Sequence, residues 1–429
     1  MLPLIAPAAS VVAASHQGAR ASAVLSEVIA ERRLGPVEAE QLARLAYGAL
    51  RRQRRVREVL REVSESAGLV DNARVGVVAA ALLEGLLDLD LASRAEPAIA
   101  WARFVEADAG VLQRATGAAR VALLGSLPDW LASALFEQYG DQAEALASSL
   151  SAPPPRSLRV NSLLCDVAEA RERLAKEGAK LADGRVAKRA LRLDGAFNPF
   201  TTRAFHEGVF ELQDEGSQIV CELAAPPPRG LVVDACAGAG GKALSLAAAL
   251  EGRGRLVALD VDERKLAALR ERAKRAKAAN IQALQLEETG PLPDAVQALA
   301  GKVDRLLIDA PCSGTGVLRR NPETRERLSP EAVTRLAALQ REITERMLPL
   351  LAPGGRLIFA TCSLLRAEGE ELMDAVEAAH PELQPVNLAE IYDRAYVERF
   401  PRSAPHRLRL LPHLHDTDGF FVTSLRKRR

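Results

Sequence analysis

The sequence of 429 residues is poor in cysteine, and its cysteines are not spaced as zinc ligands usually are. Five are present and no Cys-x-x-Cys pair occurs among them: Cys165, Cys221, Cys236, Cys312 and Cys362. The pattern indicates neither a disulfide framework nor a zinc site, and we expect no metal. A reducing, cytoplasmic environment fits this cysteine usage.

Aromatic residues, long apolar runs and net charge are also scarce. Aromatics make up 4% of the chain, which argues against extended stacking on nucleic-acid bases. No run approaches the roughly 18 apolar residues of a membrane span. No Lys or Arg precedes Arg20, so the basic region of a secretory leader is missing. We therefore expect a soluble protein, most simply a monomer, with no membrane partner.

The charge that is present occurs in clusters, although the net charge is only +1. Basic residues are concentrated at Arg51–Arg57, Arg264–Lys277 and Arg426–Arg429. Such clusters can neutralise the phosphates of a nucleic acid. They can equally be solvated helix faces, so both interpretations remain open for each cluster.

The hydrophobic pattern divides the chain into three predicted domains. Residues 1–148 show the three- and four-residue spacing of helices, with few strand signals. A proline run follows, and residues 149–225 combine short strands with one amphipathic helix, which predicts a small α+β subdomain. Residues 226–429 alternate apolar strands with helical segments. This alternation is typical of a mostly parallel, doubly wound α/β sheet.

A glycine-rich loop follows the first strand of the third domain. Gly238, Gly240 and Ala243 satisfy the G-x-G-x-x-A fingerprint, and Asp260 closes the next strand. Glycines let the backbone approach a ligand, and a carboxylate can accept hydrogen bonds from ribose hydroxyls. A nucleoside-bearing cofactor is predicted, but NAD and S-adenosylmethionine both remain open on this loop alone.

Two cysteines directly follow later strands of the same sheet. Cys312 lies in an Asp-Ala-Pro-Cys-Ser-Gly-Thr-Gly run that begins at Asp309, and Cys362 lies in Ala-Thr-Cys-Ser. Residues beyond the carboxyl ends of parallel strands line one crevice, so both thiols could face one site. A thiolate that adds to C6 of a pyrimidine turns the inert C5 into a nucleophile. Asp309 could orient such a base, whereas hydride transfer has no evident use for two thiols.

These three motifs together resemble those of the RNA cytosine-C5 methyltransferases of the Nop/Sun family. Further runs beginning at Leu158, Gln213, Arg319 and Asp418 look like landmarks of its bacterial RsmB branch, also called Fmu or Sun. The Leu-Ala-Tyr-Gly-Ala-Leu-Arg run from Leu45 resembles the NusB-like domain of those enzymes. The resemblance implies a Rossmann-like methyltransferase sheet, a small RRM-like subdomain and a NusB-like, RNA-binding helical domain.

The resemblance also implies roles for individual residues. Cys362 would be the nucleophile and Cys312 would assist product release. The cofactor would be S-adenosylmethionine, held by Cys236, Ala237, Gly238, Ala239, Gly240, Gly241, Lys242, Asp260, Glu287 and Asp309. Glu287 or Glu288 would take the acidic position beside the adenine. The substrate would be 16S ribosomal RNA, methylated at cytosine 967.

The chain departs from this family in ways that leave alternatives open. Ala239 stands where the cofactor loop usually has a proline, and residues 86–125 lack the recognisable end of a NusB-like domain. A different RNA target is therefore one alternative. Another is a non-catalytic RNA-binding or assembly factor that keeps the sheet as a scaffold.

Overall fold

The structure is a computed structural model that describes residues 1–64 and 66–429. Two units are distinguished by their internal packing. Unit 1 comprises Met1–Pro154 and Val317–Pro330, and unit 2 comprises Pro155–Gly316 and Glu331–Arg429. In the described part of the chain, no helix is both long and apolar enough to cross a membrane.

Unit 1 is helical, as the spacing of its apolar residues predicts. Its α-helices are α1 (Ile5–His16), α2 (Ala21–Arg32), α3 (Pro36–Val63), α4 (Ala67–Val70), α5 (Ala73–Leu83), α6 (Leu89–Ala95), α7 (Trp101–Arg114), α8 (Gly117–Gly125), α9 (Asp129–Tyr139) and α10 (Ala143–Leu150). Pro36 begins the long α3, where the missing N–H of a proline costs nothing. Glu38 caps this end by accepting a hydrogen bond from the Gly35 N–H at 3.1 Å. The apolar side of α3, which includes Leu45 and Leu50, is buried in the core.

The second stretch of unit 1, Val317–Pro330, contains a 3₁₀ helix at Pro322–Arg327. Arg325 is fully buried and donates from Nη2 to the Leu150 carbonyl at 2.7 Å. Arg51 Nε donates to the Arg319 carbonyl at 2.9 Å. This stretch therefore packs with the helices, although the division predicted from sequence places it within residues 226–429.

Unit 2 begins with a small α+β subdomain, as predicted. Its elements are β1 (Arg156–Val160), α11 (Val167–Lys176), β2 (Lys180–Asp183), β3 (Ala190–Asp194), α12 (Arg203–His206) and β4 (Phe210–Leu212). The four strands form an antiparallel sheet in the order β2-β3-β1-β4. Leu158, Leu174 and Phe210 meet in its core. The apolar pattern predicts strands at 157–161, 190–193 and 208–212, which correspond to β1, β3 and β4, but it does not predict β2.

The remainder of unit 2 forms a second, larger sheet with its helices. The elements are α13 (Glu215–Ala224), β5 (Leu231–Asp234), α14 (Gly241–Ala249), β6 (Arg255–Asp260), α15 (Glu263–Arg275), β7 (Ile281–Gln285), α16 (Asp294–Gln297), β8 (Val303–Asp309), α17 (Pro330–Met347), β9 (Leu351–Thr361), α18 (Glu370–Ala379), β10 (Leu383–Pro385), α19 (Arg394–Val397), β11 (Arg407–Leu410), α20 (Pro412–His415) and β12 (Phe420–Lys427). The strand order is β10-β12-β9-β8-β5-β6-β7, and β11 pairs with β12.

The parallel part of this sheet comprises β5 to β9, which confirms the predicted doubly wound arrangement. Both of its faces are covered: Val232 belongs to a core that includes Leu246 of α14, whereas its neighbour Val233 belongs to one that includes Met373 of α18. β10, β11 and β12 extend the sheet in antiparallel fashion. The strand order reverses at β5, which lies between β6 and β8, and a ligand crevice is expected at such a switch point.

Candidate active site

The loop after β5 is held in a conformation that requires glycine. Gly238 and Gly240 have φ values of +53° and +87°. A Cβ on Gly240 would lie 2.6 Å from Leu269 Cγ, so no other residue fits there without displacement. The Gly238 N–H donates to Asp260 Oδ2 at 2.8 Å, which joins the loop to the end of β6. The glycine-rich loop and Asp260, which the sequence pattern had paired, are therefore in direct contact in the structure.

A cavity of about 470 Å³ opens beside this loop. It is lined by Ala235, Cys236, Gly238, Asp260, Val261, Lys265, Leu286, Glu288, Thr289, Asp309, Pro311, Leu339, Glu342, Ile343, Arg346 and Met347. An apolar wall from α17 and from Leu286, which directly follows β7, thus faces a carboxylate and a glycine turn. A purine can pack against such a wall while the Asp260 carboxylate meets ribose hydroxyls. The residues present therefore fit a nucleoside.

The predicted cofactor residues contribute to this cavity unequally. Cys236, Gly238, Asp260 and Asp309 line it. The other loop residues lie outside the lining, and several use their backbone to hold the loop in place. The Ala237 N–H donates to the Leu259 carbonyl at 2.8 Å, and the Ala239 carbonyl accepts from Arg272 at 2.6 Å. Gly240 is the N-cap residue of α14, and Gly241 and Lys242 are the first two residues of this helix.

Of the two acidic residues after β7, Glu288 lines the cavity and Glu287 does not. Side chains alternate in direction along an extended chain, so Leu286 and Glu288 point to the same side. Leu286 lines the cavity as well, and its N–H donates to the Asp260 carbonyl at 2.9 Å. Of the two residues that the resemblance offered for the acidic position, Glu287 and Glu288, only Glu288 therefore lines the cavity.

Lys242 and Asp309 form an ion pair in the interior of unit 2. Lys242 Nζ lies 2.5 Å from Asp309 Oδ2, and only 11% of the lysine side chain is exposed. Burial alone would lower the pKa of Lys242, but the charge of Asp309 outweighs it and holds this pKa above its ordinary value. Asp309 is therefore a carboxylate with a fixed cationic partner, and it also faces the cavity.

The two cysteines that follow β8 and β9 lie in contact. Cys312 Sγ and Cys362 Sγ are 3.3 Å apart, a hydrogen-bond distance for sulfur, and both cysteines are free. The hydrogen bond to Cys362, followed by burial, raises the pKa of Cys312 well above its ordinary value. Cys312 is therefore a thiol that retains its proton and can donate to the sulfur of Cys362.

Glu368, which the sequence interpretation missed, joins the loops that carry the two cysteines. It is fully buried in the 3₁₀ helix Arg366–Glu368. Its carboxylate accepts hydrogen bonds from the Ser313 N–H at 2.8 Å and from the Ser363 hydroxyl at 2.6 Å. Ser313 Oγ donates to it as well. Each serine directly follows one of the cysteines, so this single carboxylate holds both loops.

Gln340 of α17 adds a third element to this arrangement. Its Nε2 donates to Glu368 Oε1 at 3.0 Å and to the Pro311 carbonyl at 2.9 Å. Gln340 is fully buried. Gln340 and Thr344 lie one turn apart on the buried side of α17, which also carries Val333 and Met347. Two polar residues at this spacing among apolar ones were a signal in the sequence that could have pointed to the role of Gln340.

Asp234 lies at the end of β5 and has no exposed surface. Burial, followed by the charge of Asp309, raises its pKa to about 7. Cys236 is affected by the same surroundings, since burial and Asp234 raise its thiol pKa. Cys221 is also buried, which raises its pKa to about 11. These two cysteines are unsuited to serve as thiolates.

Comparison with family models gives two matches. Residues 222–426 match the model of the 16S rRNA methyltransferase RsmB/F, and residues 127–199 match an RsmF/B-like ferredoxin-like domain. The second match overlaps the small antiparallel sheet of unit 2.

Similar curated proteins carry related names. The chain is 35% identical over 312 residues to the probable ribosomal RNA small subunit methyltransferase B of Bacillus subtilis, covering 72% of this chain and 68% of the relative. It is 31% identical to the protein of the same name from Synechocystis, over 70% of this chain and 67% of the relative.

Solved structures share the fold. The crystal structure of PH0851 superposes with a TM-score of 0.80 at 24% identity, over 100% of this chain and 99% of that one. A methyltransferase homologue from Pyrococcus horikoshii gives a TM-score of 0.62 at 26% identity, over 73% of this chain and 99% of that one. With the motifs, the site geometry and these likenesses in agreement, the chain belongs to the RsmB/F family of 16S rRNA methyltransferases.

Proposed function

We propose that this protein methylates C5 of a cytosine in small-subunit ribosomal RNA, with S-adenosylmethionine as the methyl donor. The observation that carries the proposal is the contact between Cys312 Sγ and Cys362 Sγ, 3.3 Å apart, at the strand ends that also carry Asp309. Covalent activation of a pyrimidine needs a thiolate, a group that orients the base and a nearby cofactor pocket. By family resemblance the target is cytosine 967.

In the proposed reaction, the target base leaves its stack and enters the crevice at the ends of β8 and β9. The Cys362 thiolate adds to C6, so an S–C6 bond forms and the electron pair of the C5–C6 double bond is displaced towards C5 and, through C4, towards N3. Asp309, held by Lys242, accepts a hydrogen bond from the exocyclic amine and orients the ring. S-adenosylmethionine, when bound, supplies an electrophilic methyl group to C5.

Product release reverses the addition. Solvent water accepts the C5 proton, the electron pair restores the C5–C6 double bond, and the S–C6 bond breaks to return the Cys362 thiolate. We assign Cys312 to this stage, because its protonated thiol lies within hydrogen-bond distance of the sulfur that must leave. A donor at that position stabilises the departing thiolate.

The cofactor assignment is supported by the cavity beside the glycine loop. Asp260 would accept hydrogen bonds from the ribose, and Leu286 and Ile343 would pack against the adenine. Glu288 is our candidate for the acidic contact on the adenine side. Calorimetric titration with S-adenosylmethionine tests this, since Asp260→Asn should weaken binding by about tenfold or more through the loss of a charge-assisted hydrogen bond.

The test of the reaction is transfer of a labelled methyl group to unmodified small-subunit ribosomal RNA. Cys362→Ala should abolish transfer. Cys312→Ala should instead accumulate a covalent protein–RNA complex that migrates as a slower band on a denaturing gel. Cys165→Ala is the matched control and should behave as wild type, since Cys165 lies against the core of the small sheet. Full activity of Cys362→Ala would overturn the nucleophile assignment.

We also propose that unit 1 is NusB-like and contributes to RNA binding. The Leu45–Arg51 run that carries the resemblance lies in α3, whose buried side packs in the core. Arg33 and Arg44 are exposed cations on this unit. Arg33→Gln with Arg44→Gln should lower the affinity for small-subunit ribosomal RNA in a filter-binding assay. An unchanged affinity would contradict a role for these two arginines in RNA binding.

A further inference from the structure

Three adjacent strands of the large sheet carry arginines directly opposite one another. Arg305 of β8 is the register partner of Arg356 of β9, and Arg356 is the partner of Arg426 of β12. Gln384 of β10 continues the row beside Arg426. Like charges in opposed positions destabilise a sheet. Three guanidinium groups in a row across three strands therefore carry a cost in stability, which a bound anion would offset.

The row opens into a cavity of about 530 Å³. The lining residues are Arg305, Gly354, Arg356, Gln384, Arg426, Lys427, Arg428 and Arg429. Six of these eight side chains are cationic and none is acidic. We call this group the basic row.

The nearest acidic groups do not neutralise the basic row. The carboxylate of Asp304 interacts electrostatically with Arg305, and that of Glu382 with Lys427. Each of these two carboxylates also has a partner outside the basic row. Asp304 Oδ2 accepts from the Leu231 N–H at 2.8 Å, and Glu382 Oε1 lies 2.9 Å from His380 Nδ1. In the described part of the chain, no arginine of the basic row forms an ion pair.

The other basic clusters of the sequence differ in this respect. In the Arg51–Arg57 cluster, Arg55 binds both carboxylate oxygens of Asp108 at 2.6 and 2.5 Å. In the Arg264–Lys277 cluster, Arg272 and Arg275 both bind Glu211. Their charges are neutralised by internal ion pairs. In the basic row, Arg305 Nε donates to the neutral Ala224 carbonyl at 2.9 Å, as Arg356 does, whereas Arg426, Arg428 and Arg429 are exposed and can meet an external anion.

Repulsion within the basic row is apparent at its buried member. Burial, followed by the charges of Arg305 and Arg426, lowers the pKa of Arg356 to about 9. Its Nη2 donates to the Ala224 carbonyl at 2.6 Å, a neutral partner. An anion bound in the cavity would relieve this repulsion, because opposite charge at short range favours the protonated guanidinium.

The basic row is distant from the cysteines along the sheet. Arg356 precedes Cys362 by six residues of extended chain, which spans roughly 20 Å at about 3.3 Å per residue. The thiols lie past the carboxyl ends of β8 and β9, and the basic row lies towards their amino ends. The two sites are therefore separate.

We propose that the basic row binds backbone phosphates of the RNA substrate, as a contact remote from the target base. This rests on the proposed function, which supplies the RNA. Because Arg356 is buried, the phosphates would meet the exposed arginines Arg426, Arg428 and Arg429, which extend over roughly 10 Å at about 3.3 Å per residue. An extended row of cations matches a chain of phosphates better than a single small ion. Guanidinium groups also bind phosphate oxygens in a bidentate manner.

The test compares the wild type with Arg426→Gln/Arg428→Gln/Arg429→Gln. These three side chains are exposed, so their replacement should leave the fold intact. The probe is unmodified small-subunit ribosomal RNA, and binding is measured across a range of salt concentrations. We expect affinity to fall by about tenfold, and the slope of log K against log salt to decrease in magnitude by about 2, for three lost contacts to single-stranded RNA. KM for RNA should rise while kcat is unchanged.

Two matched variants separate a specific contact from a general charge effect. Arg189→Gln/Arg335→Gln/Arg402→Gln removes the same charge from exposed arginines elsewhere and should bind RNA as the wild type does. Arg426→Lys/Arg428→Lys/Arg429→Lys should restore most of the affinity. Equal RNA affinity and salt slope for the glutamine variant and its matched control would overturn the proposal.

A third measurement identifies the source of the phosphate. Inorganic pyrophosphate is titrated into the wild type and the glutamine variant by calorimetry. If it binds in a manner that depends on the basic row while RNA affinity does not, the site takes a free phosphate compound and the RNA assignment is wrong. Failure of the wild type to methylate RNA would instead contradict the proposed function, so the two failures are distinguishable.

Discussion

At the scale of single residues, the site is governed by which groups keep their protons. Cys312 retains its proton because it donates to Cys362 and is buried. Asp309 is paired with the cation of Lys242. The neighbouring Asp234 is buried without such a cation of its own, and its pKa is raised to about 7. Burial thus favours the protonated form of Asp234, whereas Asp309 has a cationic partner at hydrogen-bond distance.

Asp234 makes the stability of the protein depend on pH. The pKa of Asp234 in the folded protein lies above its value in an unfolded chain, so protonation of Asp234 stabilises the folded state. This contribution to the free energy of unfolding is complete below about pH 4 and is lost as the pH rises through about 7. Asp234→Asn removes the group. The free energy of unfolding of the Asp234→Asn variant should therefore exceed that of the wild type by up to a few kcal/mol at pH 8 and by little at pH 4. Denaturant unfolding at several pH values measures the difference.

Asp294→Asn, at an exposed position, is the control for this comparison and should leave the pH profile of the wild type unchanged. A profile for Asp234→Asn that runs parallel to the wild type from pH 4 to pH 8 would contradict the assignment.

Glu368 gives a second prediction at this scale. Glu368→Gln removes the charge that accepts hydrogen bonds from Ser313, Ser363 and Gln340. The cysteine loops should then lose their alignment, and kcat should fall by about 10²-fold, because small displacements of reacting groups are costly. KM for RNA should change little, since no RNA contact is removed. Steady-state methyl transfer separates the two constants.

Glu371→Gln, three residues later on an exposed part of α18, should retain wild-type kcat. If Glu368→Gln instead raises KM and leaves kcat unchanged, this carboxylate acts in RNA binding rather than in positioning the cysteines.

At the scale of elements, α3 shows how a cluster of charge can be structural. Its arginines meet acidic residues of other helices in unit 1: Arg52 binds Glu84, Arg54 binds Asp129 and Arg55 binds Asp108. The sequence left open whether these residues contact phosphates or face solvent. Their partners are more than 30 residues away along the chain, so local spacing could not reveal them.

The pair of Arg55 and Asp108 predicts a marked loss of stability when it is broken. Both side chains are largely buried, with 20% and 11% exposed. Asp108→Ala leaves the guanidinium without its partner, and we expect a loss of about 3 kcal/mol in the free energy of unfolding. Asp90→Ala breaks an exposed pair with Arg94 at 3.8 Å and should cost less than about 0.5 kcal/mol. Equal effects of the two variants would show that the buried pair has no special role.

The sheet and its loops show what the sequence could predict. β5, β6, β8 and β9 are short apolar runs with turn signals between them, and the cofactor loop and the cysteine motifs follow them directly. Positions at strand ends converge because parallel strands share one edge, so the proximity of Cys312 and Cys362 could be expected. The antiparallel strands β10 to β12 and the contacts of Glu368 depend on pairing between distant segments. Such pairing leaves no local periodicity to detect.

At the scale of the whole molecule, each unit has a core of its own. The core of unit 1 includes Leu45 and Phe104, and those of unit 2 include Leu246 and Phe359. The cavity beside the glycine loop, where we propose that the cofactor binds, is lined entirely by residues of unit 2. A ligand stabilises the part of a protein that binds it, by about 2.7 kcal/mol when its concentration is one hundred times Kd.

Hydrogen exchange of the full chain therefore provides a test of this division. Saturating S-adenosylmethionine should slow exchange at the amides of the glycine loop, of the end of β6 and of the segment after β7, and the α-helices of unit 1 should exchange as before. Asp260→Asn should reduce this protection from about 2.7 to about 1.4 kcal/mol at one hundred times the wild-type Kd, because a tenfold weaker site is then at only ten times its own Kd. Equal protection of the amides of α3 and α5 would mean that the ligand stabilises both units together. Binding in the cavity of unit 2 would then not be confined to unit 2 in its effect on hydrogen exchange.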